Sequence, residues 1–287
     1  MKNLLFILLL LTTAMAQGES TFERELEMAR NGDADAQYNL GVRYRSGHGV
    51  LQDDKEAVKW TQLAADQGHA SAQYNLGVNY DIGQGVLQDD KEAVKWFRLA
   101  AEQRLAGAQY NLGNMYNDGR GVLQDYKEAV KWYLLAAEQG HADAQHNLSF
   151  MYEDGLGVLQ DYKEAVKWIR LAAEQGNAGA QHNLGIMYHY GQGVLKDDKE
   201  SVKWTRLAAE QGYAVAQFLL GISYFGGEGV LKNYNVSYSW TNIARYNGHT
   251  GTNEMFKLLA KNMSNSDVSE AQALSKRCLE SDYKDCG

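Results

Sequence analysis

The sequence predicts an all-α fold, a right-handed superhelical solenoid of antiparallel helical hairpins. Two observations predict this class: the sequence repeats itself every 36 residues, and each period contains two helical patterns. The period is visible in one tryptophan, one ring-bearing residue and one glycine pair per repeat, namely Trp60, Trp96, Trp132, Trp168, Trp204 and Trp240; Tyr38, Tyr74, Tyr110, His146, His182 and Phe218; and Gly47/Gly49, Gly83/Gly85, Gly119/Gly121, Gly155/Gly157, Gly191/Gly193 and Gly227/Gly229. Such a repeat cannot bury its apolar face alone, so stacked neighbours complete the core.

The first helix of each repeat is predicted from its apolar spacing. Within residues 34–69, Ala36, Leu40 and Tyr44 fall on one helical face. The glycine pair then ends the helix, because glycine adopts positive φ without steric cost.

The second helix begins at a predicted capping box, in which Asp53 and Glu56 satisfy free backbone amides. The same box recurs in the next four repeats as Asp89/Glu92, Asp125/Glu128, Asp161/Glu164 and Asp197/Glu200. Trp60 is expected to fill the space between neighbouring repeats. Gly68 is predicted to end the helix as a left-handed cap.

Two places depart from the repeat. Arg104 stands where the other repeats have the glycine after the second helix, so that turn is predicted to be either strained, at about 1 kcal/mol, or differently shaped. The sixth repeat has Asn233 and Val236 in place of the capping box, and Leu219 in place of an asparagine. We therefore expect it to form a transition to the C-terminal cap.

The first 16 residues are predicted to be a cleavable signal peptide. A basic residue precedes an apolar segment from Leu4 to Leu11, and Ala14 to Ala16 match a cleavage site. The alternative is a membrane anchor, but the apolar segment is shorter than the roughly 20 residues that span a bilayer. We expect cleavage after Ala16 and a mature chain in the periplasm or outside the cell.

The repeats are predicted to lie between two caps. Residues 17–33 form an N-terminal capping helix, for which Ser20 and Glu23 suggest a capping box. Residues 34–249 form the six repeats, and residues 250–287 form a degenerate C-terminal capping hairpin that lacks the glycine pair and the tryptophan. Terminal repeats are expected to be atypical, because their outer faces meet water.

The only cysteines, Cys278 and Cys286, lie in the last ten residues. In an exported chain, an even number of closely spaced cysteines suggests a disulfide. The alternative is a pair of free thiols at a frayed end. A disulfide would attach the last helix to its tail and contribute about 2 kcal/mol.

The charge of the chain argues against nucleic acid as a partner. The formal net charge is −8 and the sequence pI is about 5.4, whereas affinity for phosphate comes from clustered lysine and arginine. The same charge disfavours anionic membrane surfaces.

Three segments typify the repeated pattern: Ala-Gln-Tyr-Asn-Leu-Gly in the first helix, Gly-x-Gly-Val in the loop and Leu-Ala-Ala-Glu-Gln-Gly at the end of the second helix. This pattern resembles the Sel1-like repeat, a relative of the tetratricopeptide repeat. The resemblance covers nearly the whole predicted mature chain. One departure is Leu51 and its equivalents, where many members carry proline. The resemblance implies a non-enzymatic scaffold or adaptor, of an exported bacterial type with a cell-envelope or host-facing role.

In related superhelices the first helix of each repeat lines the inner groove, so its flanking residues are candidate ligand contacts. Asparagines there can both donate to and accept from the backbone of an extended peptide. The candidates at repeating positions are Tyr38, Asn39, Tyr74, Asn75, Tyr110, Asn111, His146, Asn147, His182 and Asn183. The alternative is that these regular positions pack between repeats. We predict that Asn75, Asn111 and Asn147 contribute to ligand binding.

Positions that vary between repeats are better candidates for partner specificity, because a packing requirement repeats with the fold. These candidates are Asn114, Phe150, Glu153, His189 and Phe225. The expected partner is a protein or peptide, bound by a monomer.

No catalytic residue, cofactor or metal site is predicted. His182 and His189 are seven residues apart, hence about 10 Å apart along a helix, which is too far for two ligands of one zinc ion. The Gly-x-Gly loops follow no predicted strand and are not nucleotide-binding fingerprints. The alternative function is an enzyme or ligand binder acting on peptidoglycan or β-lactams, as claimed for cysteine-rich relatives whose cysteine pairs these repeats lack.

Overall fold

The computed structural model describes residues 21–287, and every regular element in that range is an α-helix. The helices are α1 Thr21–Arg30, α2 Ala34–Ser46, α3 Asp54–Asp66, α4 Ala70–Ile82, α5 Asp90–Glu102, α6 Ala106–Asp118, α7 Tyr126–Glu138, α8 Ala142–Asp154, α9 Tyr162–Glu174, α10 Ala178–Tyr190, α11 Asp198–Ala209, α12 Ala214–Gly226, α13 Tyr234–Tyr246, α14 Asn253–Ala260 and α15 Asn265–Glu280. The predicted all-α class of consecutive helical hairpins is confirmed. The predicted signal peptide and Ser20 lie outside the described residues, and no described helix is long and apolar enough to cross a bilayer.

The described chain forms two compact bodies, residues 21–132 and residues 133–287, with the boundary inside α7. In the first body, α2 packs against α3, and α4 packs against α5. The hairpins join through contacts of α3 with α4 and of α5 with α6. Helix α1 packs on α2 and covers the first hairpin.

The second body repeats this arrangement. Helix α8 packs against α9, α10 against α11, and α12 against α13, and the hairpins join through α9 with α10 and α11 with α12. Helices α14 and α15 both pack on α13. The C-terminal segment therefore covers the last hairpin with two helices that share one neighbour.

The core of each repeat combines one large side chain per helix with several alanines. One leucine of each first helix is completely buried, and these residues are Leu40, Leu76, Leu112, Leu148, Leu184 and Leu220. In the first body, Phe97 packs with Met115 and Trp132, while Ala100 lets the helices approach closely. Burial of each leucine contributes about 2 kcal/mol, so the repeating core positions carry much of the stability.

Buried glutamines connect neighbouring hairpins through hydrogen bonds. Gln73 is 5% exposed, and its Nε2 donates to the carbonyl of Ala65 at 3.1 Å. Its Oε1 accepts from Nε2 of Gln103 at 2.7 Å. The second body repeats both bonds at Gln145 with Gln175 and at Gln181 with Gln211. The bond to Ala65 joins consecutive hairpins, and the bond from Gln103 orients the Gln73 side chain from within its own hairpin. Because an unpaired buried amide is costly, the two bonds together fix the register between consecutive hairpins.

The predicted capping boxes form only in their aspartate half. Asp53 accepts from the backbone amides of Lys55 and Glu56 at 2.9 and 3.1 Å. The Glu56 side chain pairs with Lys59 at 3.0 Å instead of returning to the cap. The equivalent pairs are Glu92–Lys95, Glu128–Lys131, Glu164–Lys167 and Glu200–Lys203. The reciprocal half of the prediction is wrong, because a lysine one turn along attracts the carboxylate.

The backbone conformation of the repeat is preserved at both departures from the sequence pattern, Arg104 and Asn233. Arg104 has φ 67°, in the same left-handed region as Gly68 with φ 88°, so the turn keeps its shape and carries the strain. In the sixth repeat, Asn233 accepts from the amide of Val236 at 3.1 Å. The N-cap therefore survives the loss of the aspartate.

The C-terminal tail is closed onto α15. Cys278 and Cys286 are joined in a disulfide, with Cα atoms 4.5 Å apart, and both are buried. Tyr283 lies inside the closed loop, and its hydroxyl accepts from Nδ2 of Asn247 at 2.9 Å. The loop thereby fastens the tail to the end of the sixth repeat.

Candidate interaction surface

The ring-bearing position of the first helix packs on the last residue of its own repeat. Tyr38 stacks on His69, with ring centroids 4.6 Å apart. In the second body, His182 packs against Tyr213 at 5.3 Å. Tyr74 and Tyr110 occupy the same position and are half-buried. In both pairs the second ring directly precedes the first helix of the following repeat, so these contacts serve packing at the junction between repeats.

The asparagine position is more open than the ring position. Asn39 is exposed, and its equivalents Asn75, Asn111, Asn147 and Asn183 are half-buried. Asn183 donates from Nδ2 to Nε2 of His146 at 3.1 Å, which joins the fourth and fifth repeats. The amides of Asn39, Asn75 and Asn111 form no hydrogen bond with any other residue of the described range.

Two histidines of the second body are held neutral by burial. His182 is 7% exposed, and its Nδ1 has no hydrogen-bond partner among the described residues. Burial, followed by the proximity of His146, lowers the pKa of His182 to about 4. Burial also lowers the pKa of His146, against the opposing charge of Asp143. Both rings are therefore uncharged at neutral pH. Within residues 21–287, no group of three or more His, Cys, Asp or Glu side chains could hold a metal ion.

The positions that vary between repeats differ in their chemistry. Phe150 is 37% exposed and lies against His146, with ring centroids 4.9 Å apart. Glu153 is half-buried, and burial, reinforced by a neighbouring carboxylate, raises the pKa of its carboxyl. Phe225 is half-buried beside a tyrosine. Asn114 is half-buried in α6 of the first body.

A cleft of about 280 Å³ lies between the first helices of the fifth and sixth repeats, and His189 lines it. Its Nδ1 is 3.0 Å from the carboxylate of Asp198. Apolar walls come from Ile186, Leu219 and Ile222. Of these lining residues, only His189 is among the candidates predicted from the sequence.

The cleft coincides with small side chains where the preceding repeat has large ones. Ser223 occupies the position at which Met187 is buried in the preceding repeat. Thr205 occupies the position of the buried Ile169. Neither residue was a candidate. Comparison of the repeats indicates Ser223, because three other repeats have methionine there, but it does not indicate Thr205, because Thr61 and Thr241 are its equivalents.

Comparisons with known proteins identify the repeat. Six consecutive segments match the model of the Sel1 repeat: residues 34–69, 70–105, 106–141, 142–177, 178–213 and 214–249. The structure of a Sel1 repeat protein from Oxalobacter formigenes is 34% identical, covers 81% of this chain and 90% of that chain, and gives a TM-score of 0.69.

More distant structures share lower TM-scores. A protective antigen of uropathogenic Escherichia coli with an SLR fold is 27% identical, covering 90% of this chain and 87% of that chain at a TM-score of 0.40. An immunity protein from Pseudomonas aeruginosa is 18% identical, covering 88% and 84% at a TM-score of 0.43. No functionally curated protein matches the chain.

Proposed function

Because this chain belongs to the Sel1 repeat family, we propose that it is an exported scaffold that binds a protein or peptide partner. Sel1 repeats commonly mediate protein–protein interaction. The proposed binding surface is formed by the first helices of the repeats. The proposed role lies in the cell envelope or at a host surface.

The observation that carries the proposal is the contrast between repeating and varying positions of the first helices. At the repeating position, Tyr38 and His182 each pack on the last residue of their repeat, next to the start of the following one. At varying positions, Phe150 and Glu153 differ in chemistry and retain solvent contact. Side chains that the fold does not require in every repeat can vary with the partner. We therefore assign specificity to Asn114, Phe150, Glu153, His189 and Phe225.

The asparagine position is assigned a second, less selective contribution. An amide can donate to and accept from the backbone of an extended peptide, and Asn75 and Asn111 make no hydrogen bond within the described range. Replacing Asn75, Asn111 and Asn147 together by alanine should weaken partner binding with the helical content preserved. Unchanged affinity in a folded triple variant would overturn this assignment.

Export is supported by two features. A Cys278–Cys286 disulfide is a bond that persists in oxidising compartments, and the first 16 residues match a signal peptide in sequence. Mass spectrometry of protein recovered from periplasmic and extracellular fractions should find a chain that begins at Gln17. A full-length chain retained in the membrane fraction would contradict export.

Site-specific photo-crosslinking tests the binding proposal. Benzoylphenylalanine is placed at Phe150 or Phe225, and at Lys167 as the control, an exposed residue of the second helix α9. The proposal predicts that both first-helix positions capture the same protein, that excess unmodified chain competes, and that position 167 does not capture it.

Equal capture from position 167 would contradict the assigned surface. Selective retention of the protein on purified peptidoglycan, or turnover of a β-lactam, without any crosslinked protein would support the envelope-acting alternative instead.

A further inference from the structure

We propose that the cleft between α10 and α12 binds an aromatic side chain of the partner that is followed by a lysine or arginine. This inference rests on the proposed binding function and specifies the chemistry of one part of its surface. The size and lining of the cleft indicate the aromatic side chain. The charges at its rim indicate the cation.

The cleft has room for an aromatic ring. Its volume is about 280 Å³, whereas an apolar cavity of about 150 Å³ accommodates benzene. Ile186, Leu219 and Ile222 supply apolar walls. Ser223 keeps its hydroxyl turned back to the carbonyl of Leu219 at 3.1 Å. The polar group of this residue is therefore satisfied within its own helix, and the site favours an apolar occupant.

The third repeat shows which charge this position of the fold accepts. Arg120 follows the first glycine of its pair and donates to the carboxylates of Asp81 and Asp90, the latter at 2.8 Å. Gln84, at the same position in the second repeat, donates to Asp54 at 3.2 Å. In both repeats the loop residue reaches the first aspartate of the preceding second helix and supplies it with a hydrogen-bond donor.

The sixth repeat has an acid at this position. Glu228 is the equivalent of Arg120, and Asp198 is the equivalent of Asp90. Glu228 lines the cleft, is exposed, and forms no ion pair within the described range. Asp198 is contacted by His189 at 3.0 Å and by Lys196 at 3.5 Å.

The carboxylate of Glu228 therefore stands at the rim where the third repeat has its own arginine, and it has no ion-pair partner within the described range. A cationic side chain of the partner, one residue after the aromatic anchor, can pair with this carboxylate. Opposite charges at the rim of an interface favour the correct partner and disfavour acidic ones.

Methyl NMR of the purified protein tests the proposal, since isoleucines mark the cleft. Ile186 and Ile222 line it, whereas Ile82, Ile169 and Ile243 do not and serve as internal references. The probe is the N-acetylated, C-amidated peptide Gly-Ser-Phe-Lys-Ser-Gly. We expect it to shift the δ1-methyl signals of the two cleft isoleucines and to leave the three references unmoved. The matched peptide with alanine for phenylalanine should produce no shift.

Variants that restore the side chains of other repeats separate the two parts of the site. Ser223→Met places the methionine of the preceding repeat in the cleft and should abolish the shifts. Glu228→Arg copies the third repeat and should weaken binding of the lysine peptide about fivefold, the scale of one surface ion pair. It should remove the preference over the peptide with glutamate for lysine. Glu174→Arg, a charge reversal at an exposed residue of α9, should change nothing.

Shifts that spread over all five of these isoleucines, equal binding of the alanine peptide, or full binding by Ser223→Met would overturn the proposal. The scaffold function is judged separately, by crosslinking from Phe150. If folded Ser223→Met still captures the partner with full affinity, only the cleft assignment fails. If the unmodified protein captures no partner from either first-helix position, the proposed function fails.

Discussion

Replacing Gln73 by alanine is expected to destabilise the first compact body by about 1–3 kcal/mol. The side chain is 5% exposed and makes two hydrogen bonds, one to the carbonyl of Ala65 and one from Nε2 of Gln103. The backbone amide of Gly68 also donates to the Ala65 carbonyl, at 2.9 Å, so no acceptor is left unpaired and the loss is that of the two side-chain bonds, at about 0.5–1.5 kcal/mol each.

Urea unfolding followed by circular dichroism at 222 nm measures this change in the free energy of unfolding. Gln52→Ala is the control, because Gln52 is exposed and makes no side-chain hydrogen bond within the described range; its change should stay within about 0.5 kcal/mol. Gln73→Glu keeps the size of the side chain and loses the donor, so it should be at least as destabilising as alanine. If Gln73→Ala were as mild as the control, the inter-hairpin role of the glutamines would be refuted.

Stability measurements also test the turn at Arg104, the burial of His182 and the disulfide. Arg104→Gly should raise the free energy of unfolding by about 1 kcal/mol, because glycine removes the strain of a φ of 67°; no gain in thermal stability would mean an unstrained turn. His182 has a folded-state pKa of about 4, below its ordinary value of 6.5, so its stabilising contribution is complete above about pH 6.5 and is lost as the pH falls towards 4. Urea titrations at pH 7 and pH 4.5 should show a loss about 1–3 kcal/mol larger for the wild type than for His182→Tyr; equal losses would contradict the burial argument. Reduction of the Cys278–Cys286 disulfide should lower stability by about 2 kcal/mol, and the double alanine variant should not respond to reductant; an equal response of that variant would show that the effect is not due to the disulfide.

The hairpins could be predicted from the sequence because the signals that define them are local. The spacing of Ala36, Leu40 and Tyr44, the glycine pair and the capping Asp53 each act within one or two helical turns. The structure retains all of these features. The partner of Glu56 was predicted wrongly, because the choice between the cap and Lys59 depends on side-chain geometry that spacing alone does not fix.

The candidate site was less accessible to sequence reasoning. The bonds of Gln73 join residues 8 and 30 positions apart, so they follow only from the packed hairpins. The cleft depends on Thr205 and Ser223, which lie on different helices. Threonine also occupies the position of Thr205 in the first and sixth repeats, so the sequence alone does not single it out. The charge that Glu228 contributes to the rim likewise gained meaning only from the structure, because its equivalent Arg120 donates to two carboxylates there.

If varying residues of the first helices bind the partner while repeating residues hold the fold, exchanging the varying residues should reduce affinity and leave stability intact. The most direct test replaces three varying residues by those found at equivalent positions elsewhere: Phe150→Val, Glu153→Asn and Phe225→His together. Biolayer interferometry against the crosslinked partner measures affinity, and urea unfolding measures stability. We expect an affinity loss of about tenfold or more, with the free energy of unfolding changed by less than about 1 kcal/mol. Undiminished affinity in this stable variant would mean that these residues do not bind the partner.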